Sequence, residues 1–258
     1  MAAFIDYCTE QDWIDRYMAR RKNMPREDVE DLYKALIKFI LYKLEDENEY
    51  FNGTPNLTNN NSVTFDFAKY VKGADFGTAN TNKSLNALSN LGIDGGNISI
   101  SCWVKLRTEI ASGNYGFVDQ VSATSDVGNR IRYNYNAGSQ VVNFARTKKN
   151  VAEQGVDYTI TLGTTNWYHI VYTYDGTNIR GYVNGVIQAG PTAASGSGTN
   201  DSVSQIVIGA ADGGGASFNP ADFSSAYIDE VGFWSKALSQ TEITDLYNNG
   251  NAQTMVDN

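Results

Sequence analysis

Glycine divides the chain in two: all 24 glycines stand at or after Gly53, and the first 52 residues have none. Glycine weakens helix interiors and supplies turns, so its absence leaves the first part free to be helical, while its abundance marks the remainder as short strands joined by tight turns. The charges divide at the same place. Residues 1–50 hold 8 of the 20 lysines and arginines and 12 of the 29 aspartates and glutamates, a helical composition set before a β composition.

In the first part Thr9 can cap a helix over residues 10–22, with Trp13, Ile14, Tyr17 and Met18 on one stripe. Pro25 suits the first turn of a second helix, where its missing N–H costs nothing. Val29, Leu32, Tyr33, Leu36, Ile37, Ile40, Leu41 and Leu44 then recur at three- and four-residue spacing, and Phe39 and Tyr42 widen the apolar surface. A helical hairpin cannot bury such a surface on itself, so it packs either on the rest of the chain or on a partner. For the second case the expected contacts are Leu32, Leu36, Phe39, Ile40, Tyr42 and Leu44, reaching another copy or a larger assembly. Lys34, Lys38 and Lys43 interrupt the face, which suits a protein interface better than a bilayer core. Residues 1–50 are therefore read as a helical anchor, residues 51–62 as a polar linker rich in turn formers, and residues 63–258 as a β domain.

Within the β domain the clearest segment is Ala226–Gly250, AYIDEVGFWSKALSQTEITDLYNNG. Period-two alternation sets Tyr227, Asp229, Val231 and Phe233 on one side of a strand and Ile228, Glu230, Gly232 and Trp234 on the other. Ser239 and Glu242 form a capping box that opens a helix over 239–248, with Ile243, Leu246 and Tyr247 on its apolar face. Upstream, WYHIVYTYDGTNIRGYVNG, residues 167–185, reads as strands turning at Asp175-Gly176 and at Asn184-Gly185, dipeptides that accept positive φ. Further strands are expected near 63–67, 98–106, 115–121, 129–136, 140–146, 156–162, 186–189 and 204–208, with loops rich in Gly, Ala and Ser over 190–202 and 209–225. Many short strands with Gly and Asn turns favour a sandwich.

The W-x-H strand at Trp167, the Y-V-N-G hairpin ending at Gly185 and the I-D-E-V strand at Ile228 occur in an order that resembles the laminin G-like jelly rolls of the concanavalin A-like lectin and glucanase superfamily. Ile98–Leu106, ISISCWVKL, is similar to the early core strand of that family, with Ile98, Ile100, Cys102, Val104 and Leu106 facing inward. The resemblance spans residues 63–252 and implies an antiparallel jelly-roll sandwich, here preceded by the helical hairpin. It does not by itself assign a function.

Chemistry of the glucanase type needs paired carboxylates along one strand, and Asp229 and Glu230 are adjacent, so they fall on opposite faces. His169 is the sole histidine and shares a strand face with Trp167 and Val171, a place for a packed core histidine rather than a base. No nucleophile elbow or zinc cluster is present in the sequence. The expectation is a protein that is not an enzyme. Glycan contacts are expected from Tyr133, Asn134, Tyr135 and Tyr115, which combine aromatic platforms with an amide, with Phe117 and Trp103 as further rings; the alternative is that these rings fill the sandwich. The resemblance also implies calcium at a rim, for which Asp75, Asp212, Asp222 and Asp229 are the oxygen donors; for Asp229 an architectural role is the alternative.

A net charge of −9 disfavours nucleic acid, whose phosphates an acidic surface repels. No run approaches the ~18 apolar residues of a membrane span, and the start MAAFIDYCTEQDW lacks the pattern of a secretory signal. Neither Cys8 nor Cys102 is expected in a disulfide. An adhesive fold with an apolar anchor and no secretion signal is similar to accessory structural proteins of virus particles. The sequence is thus read as a binding or adhesion protein made in the cytoplasm, docked on a capsid or tail and displayed at the virion surface. A free-standing carbohydrate-binding protein is the alternative.

Overall fold

Strand alternation becomes two facing antiparallel sheets. The computed structural model describes residues 39–42, 57–67, 69, 72–78, 81–88, 97–109, 112–122, 127–136, 139–148, 151–194, 204–212 and 220–251. In chain order the strands are β1 (Phe39–Tyr42), β2 (Thr58–Asn60), β3 (Thr64–Phe67), β4 (Lys72–Asp75), β5 (Ser84–Leu88), β6 (Ile98–Leu106), β7 (Gly113–Ser122), β8 (Val127–Asn136) and β9 (Ser139–Lys148). They continue as β10 (Val151–Thr159), β11 (Tyr168–Tyr174), β12 (Asn178–Val183), β13 (Val186–Ala193), β14 (Ser204–Ile208), β15 (Ala211–Asp212), β16 (Pro220–Ala221) and β17 (Ala226–Trp234), and one helix, α1 (Gln240–Tyr247), follows. The first sheet runs β13-β12-β11-β6-β17-β4-β3, and the second runs β10-β9-β8-β7-β14-β5-β2. Between them Ile100, Cys102, Val104, Phe117, Ile131, Tyr133, Phe144, Ile170, Tyr172, Ile206, Ile228, Val231 and Phe233 form one core. Cys102 is a buried free thiol whose pKa burial pushes up.

The anchor and linker expectations change where the described residues reach them. Phe39, Ile40 and Tyr42 do not lie on a helix: Phe39–Tyr42 pairs with Trp234–Val231 of β17. β4 takes only Tyr227 and Ile228 on that edge of β17, and β1 takes the backbone groups beyond them. Partnering a bare strand edge outweighs helical spacing, and the FILY run is rich in aromatic and branched residues suited to a strand. Leu32, Leu36, Leu44 and the helix over 10–22 lie outside the described residues. Thr58–Asn60, inside the expected linker, pairs with β5, and Asn59 locks the turn after it by exchanging side-chain hydrogen bonds with the Val63 backbone.

A second correction concerns β17. Its register against β6 shifts between Asp229 and Gly232, and Glu230 takes φ 49°. This bulge moves Asp229 off the side of Val231 and Phe233, so the inward set is Ala226, Ile228, Val231 and Phe233. The Asp229 carboxylate accepts the Glu230 N–H at 2.9 Å and so holds the bulge that reorients it.

Turn chemistry fits at Asn184-Gly185, where φ is 51° and 79° and β12 folds directly into β13. At Asp175-Gly176 the turn is longer: Gly176 alone takes positive φ, and the Asp175 carboxylate accepts the N–H groups of Thr177 and Asn178. Inside the sandwich Asn129 joins Gln120, Arg146 and Tyr172 in one hydrogen-bonded seam, and the Arg146 guanidinium lies 4.2 Å from the Tyr174 ring centre. Burial raises the Tyr172 pKa against the opposing influence of Arg146.

The capping box at α1 is formed as expected. The Ser239 hydroxyl accepts the Glu242 N–H, and the Glu242 carboxylate accepts the Ser239 N–H at 2.8 Å. Ile243 and Leu246 then pack on Val171, Tyr182, Trp234 and Leu238, the outer face of the first sheet. Ser239→Ala leaves the Glu242 N–H without its side-chain acceptor and is expected to cost about 1 kcal/mol in urea denaturation.

Candidate functional site

The outer face of the first sheet is built in rows across β11, β6, β17 and β4. Val104, Leu106, Ala226, Ile228, Ala74 and Phe76 belong to the core, so the residues alternating with them, Lys105, Tyr227 and Asp75, face outward. Lys105 pairs with Tyr227, and Tyr227 pairs with Asp75. Trp167, immediately ahead of Tyr168 and its partner Val104, extends the row past Lys105. The Trp167 and Tyr227 rings are 6.5 Å apart, tilted by 53°, and the Lys105 Nζ stands 5.5 Å from the first ring centre and 5.1 Å from the second. Arg107, exposed one position beyond β6, lies over Tyr227 at 5.4 Å and forms an ion pair with Asp75. The Asp75 hydrogen bond is the main cause that holds the Arg107 pKa above its usual value. Trp167, Lys105 and Tyr227 are half-buried, which leaves part of each open to a ligand.

The next row is covered. His169, Trp103 and Asp229 follow one another across β11, β6 and β17, and Tyr247 at the end of α1 stacks on Trp103 at 5.8 Å. Lys69 closes the other side, 4.3 Å over the Trp103 ring, and donates to the Gly250 carbonyl at 2.6 Å. His169 is 3% exposed and 4.9 Å from Trp103. Burial, with the Lys69 charge adding to it, brings its pKa down to about 3. It is a packed neutral histidine. The open row therefore begins where the cover of α1 ends.

The tyrosines of the sequence reading divide between faces. Tyr133 is fully buried in the core, where its hydroxyl accepts the Leu162 N–H at 2.9 Å, and it is no surface platform. Phe117 is buried in the same core, and Tyr115 and Tyr135 pack against it as half-buried residues. Asn134 takes the opposite side of β8, because alternation separates it from both neighbours. That outer side of the second sheet is a polar ladder. Arg130 pairs with Asp119 at 3.3 Å and Glu153 at 3.1 Å, Arg132 contacts Glu153 and Asn143, and Asn143 donates to Asp157 at 2.7 Å. The ladder is not fully satisfied, since the Arg132 Nε and Asn134 Oδ1 atoms are buried without a hydrogen-bond partner among the described residues.

The four aspartates read as metal donors are likewise dispersed. Asp75 is paired with Arg107 and Asp229 serves the β17 bulge, both on the first sheet. Asp212 and Asp222 belong to the β15–β16 hairpin, whose Asp222 carbonyl accepts the Gly116 N–H of the second sheet. Burial raises the Asp222 pKa, and Arg132 and Arg130 oppose it. Among the described residues no group of three or more His, Cys, Asp and Glu side chains is placed to hold a metal ion. Among them, too, no helix is long and apolar enough to cross a membrane.

A family model described as the concanavalin A-like lectin/glucanases superfamily, of laminin G type, matches residues 76–244. No curated protein matches by sequence. Among solved structures, domain 4 of AbnA, an extracellular GH43 arabinanase of Geobacillus stearothermophilus in complex with arabinotriose, is similar at 14% identity and TM-score 0.59, with 81% of this chain and 97% of that one covered. A botulinum neurotoxin type C structure, from work on cell entry that depends on two ganglioside molecules, is similar at 16% identity and TM-score 0.64, covering 86% of this chain. The binding domain of botulinum neurotoxin DC with rat synaptotagmin II gives 15% identity, TM-score 0.60 and 82% coverage. Of the two toxin chains only 53% and 51% is spanned. At these identities the likeness is one of fold.

Proposed function

Since the chain belongs to the concanavalin A-like lectin/glucanases superfamily, with more than half of its length matched, we propose that it is a non-catalytic glycan-binding module that reads sugars with the open row on its first sheet. The observation that carries this is the Trp167–Lys105–Tyr227 arrangement, two part-exposed rings with a cation between them beside Arg107 and Asp75. Aromatic faces receive the apolar C–H faces of sugars, and a few fixed polar groups orient the hydroxyls. The row offers a platform and charges but no acid and base arranged across a glycosidic bond. Similarity in fold to an arabinanase domain bound to arabinotriose and to toxin binding domains supports a binding role.

The N-terminal segment adds display. Leu32, Leu36 and Leu44 dock the module on a larger assembly, such as a virus head or tail, while Phe39–Tyr42 ties the segment to the sandwich through β17. Light scattering tests this part: the full chain self-associates or joins an added capsid or tail preparation, and a strictly monomeric chain that joins neither overturns it.

The glycan reading is tested with the full chain on a glycan array followed by titration calorimetry on the best ligand. Trp167→Ala is expected to weaken binding about 10- to 30-fold, the loss typical of one central aromatic contact, with the glycan recovered uncleaved. Unchanged affinity in Trp167→Ala would assign binding to another face, and cleavage of the glycan would refute the non-catalytic role.

A further inference from the structure

We infer that the ligand of this row is an acidic sugar whose carboxylate or sulfate group meets the Lys105 ammonium; this rests on the glycan reading above. The protein carries a net charge of −9, so its overall field repels anions and any preference for one must arise locally. The two cations of the row differ. Arg107 is already matched by Asp75, and Asp66 adds further negative charge near it. Lys105 has no carboxylate partner and no hydrogen-bond acceptor among the described residues. Its close neighbours are the Trp167 and Tyr227 rings, which attract an ammonium but offer no oxygen to its N–H groups.

The ammonium stands over both rings, 5.5 Å from the centre of Trp167 and 5.1 Å from that of Tyr227, so a pyranose stacked on the open part of either ring brings its substituents toward it. A neutral sugar gains stacking alone, whereas an acidic one adds a charge-assisted hydrogen bond from Nζ. Asp75 and Asp66 lie on the Arg107 side and repel an anion there, which turns the acidic group toward Lys105 and Trp167. Lys105 is half-buried, so the contact is partly screened and its contribution falls as salt rises.

The test is an array of sialylated, uronate-containing and sulfated glycans, each printed beside its neutral counterpart, probed with the full chain and with Lys105→Gln, Lys105→Arg and Trp167→Ala. The unsubstituted protein is expected to favour the acidic member of a pair ~5- to 10-fold, the factor of one charge-assisted hydrogen bond reduced by solvent screening at a half-buried site. Lys105→Gln is expected to erase that preference by lowering the acidic member of each pair more than the neutral one, Lys105→Arg to retain it, and Trp167→Ala to lower both members. Preference confined to carboxylated or to sulfated pairs supports the inference and identifies the source of the anion. Equal binding within every pair, or a preference that survives Lys105→Gln, overturns it. Silence across the whole array overturns the glycan reading itself.

Discussion

Gly209→Ala is expected to lower stability by about 3 kcal/mol, because two independent costs meet at one carbon. Gly209 follows β14 with φ 81°, its N–H donates to the Phe117 carbonyl at 2.9 Å, and its carbonyl accepts the Ser224 N–H at 2.7 Å. These bonds hold the backbone in a left-handed conformation that costs an L-residue roughly 1–2 kcal/mol. The added methyl would also enter the ring of Phe76, which is fully buried and part of the core between the sheets. Overpacking of that kind costs roughly 1–3 kcal/mol. Urea denaturation reads the loss, with Gly163→Ala as the control, since a methyl there meets only the Tyr168 hydroxyl at 3.8 Å. Pairing Gly209→Ala with Phe76→Leu relieves the clash and leaves the strain, so the double substitution costs less than the sum of the singles. A change within ~0.5 kcal/mol in Gly209→Ala, the range of ordinary surface substitutions, would contradict the close approach.

Phe76 and Gly209 also show where sequence reading stops. Strand β6 was legible because Ile98, Ile100, Cys102, Val104 and Leu106 alternate without interruption and all turn inward. Helix α1 was legible because its capping box is local. By contrast β4, with sequence KGAD, carries no branched or aromatic residue and β2, with TNN, only one threonine; they are strands because β17 and β5 offer them edges. The β17 bulge depends on positive φ at a glutamate, which no spacing announces, and it put Asp229 on the wrong face in the sequence reading. The tyrosines of β8 were a different matter: alternation alone separates Tyr133 and Tyr135 from Asn134, and reading them as one surface overlooked the pleat. The aromatic row joins Asp75, Lys105, Trp167 and Tyr227 from four distant segments. The available hint was that Trp167, Lys105 and Tyr227 each stand beside a core residue at an outward position, but only strand order makes them neighbours.

The pH dependence of stability between pH 6.5 and 5 is expected to be governed in large part by His169. Burial brings its folded pKa down to about 3 from the ordinary 6.5, so the folded protein holds the imidazole neutral while the unfolded chain takes up a proton as pH falls. The unfolded state is thereby favoured by acid. The stability is complete above pH 6.5, declines as pH drops below it, and goes on declining until the folded pKa is reached. The slope approaches ~1.4 kcal/mol per pH unit, or ~2 kcal/mol by pH 5. The groups facing the ring explain why no partner rescues the imidazolium: Lys69 opposes it, the Trp103 and Tyr247 rings stack around it, and Asp229 lies one strand further away beyond Trp103. Glu242 and Asp175, whose carboxyls burial raises but hydrogen-bonded cations and amides lower below their ordinary values, give up their stabilisation only in more acidic solution. His169→Gln removes the titrating group, and its urea-derived stability should vary far less over pH 6.5 to 5 than that of the unsubstituted protein, whatever its absolute value. Parallel profiles would mean that the imidazole protonates in place, and the row under Tyr247 would then be open to solvent like the row beside it.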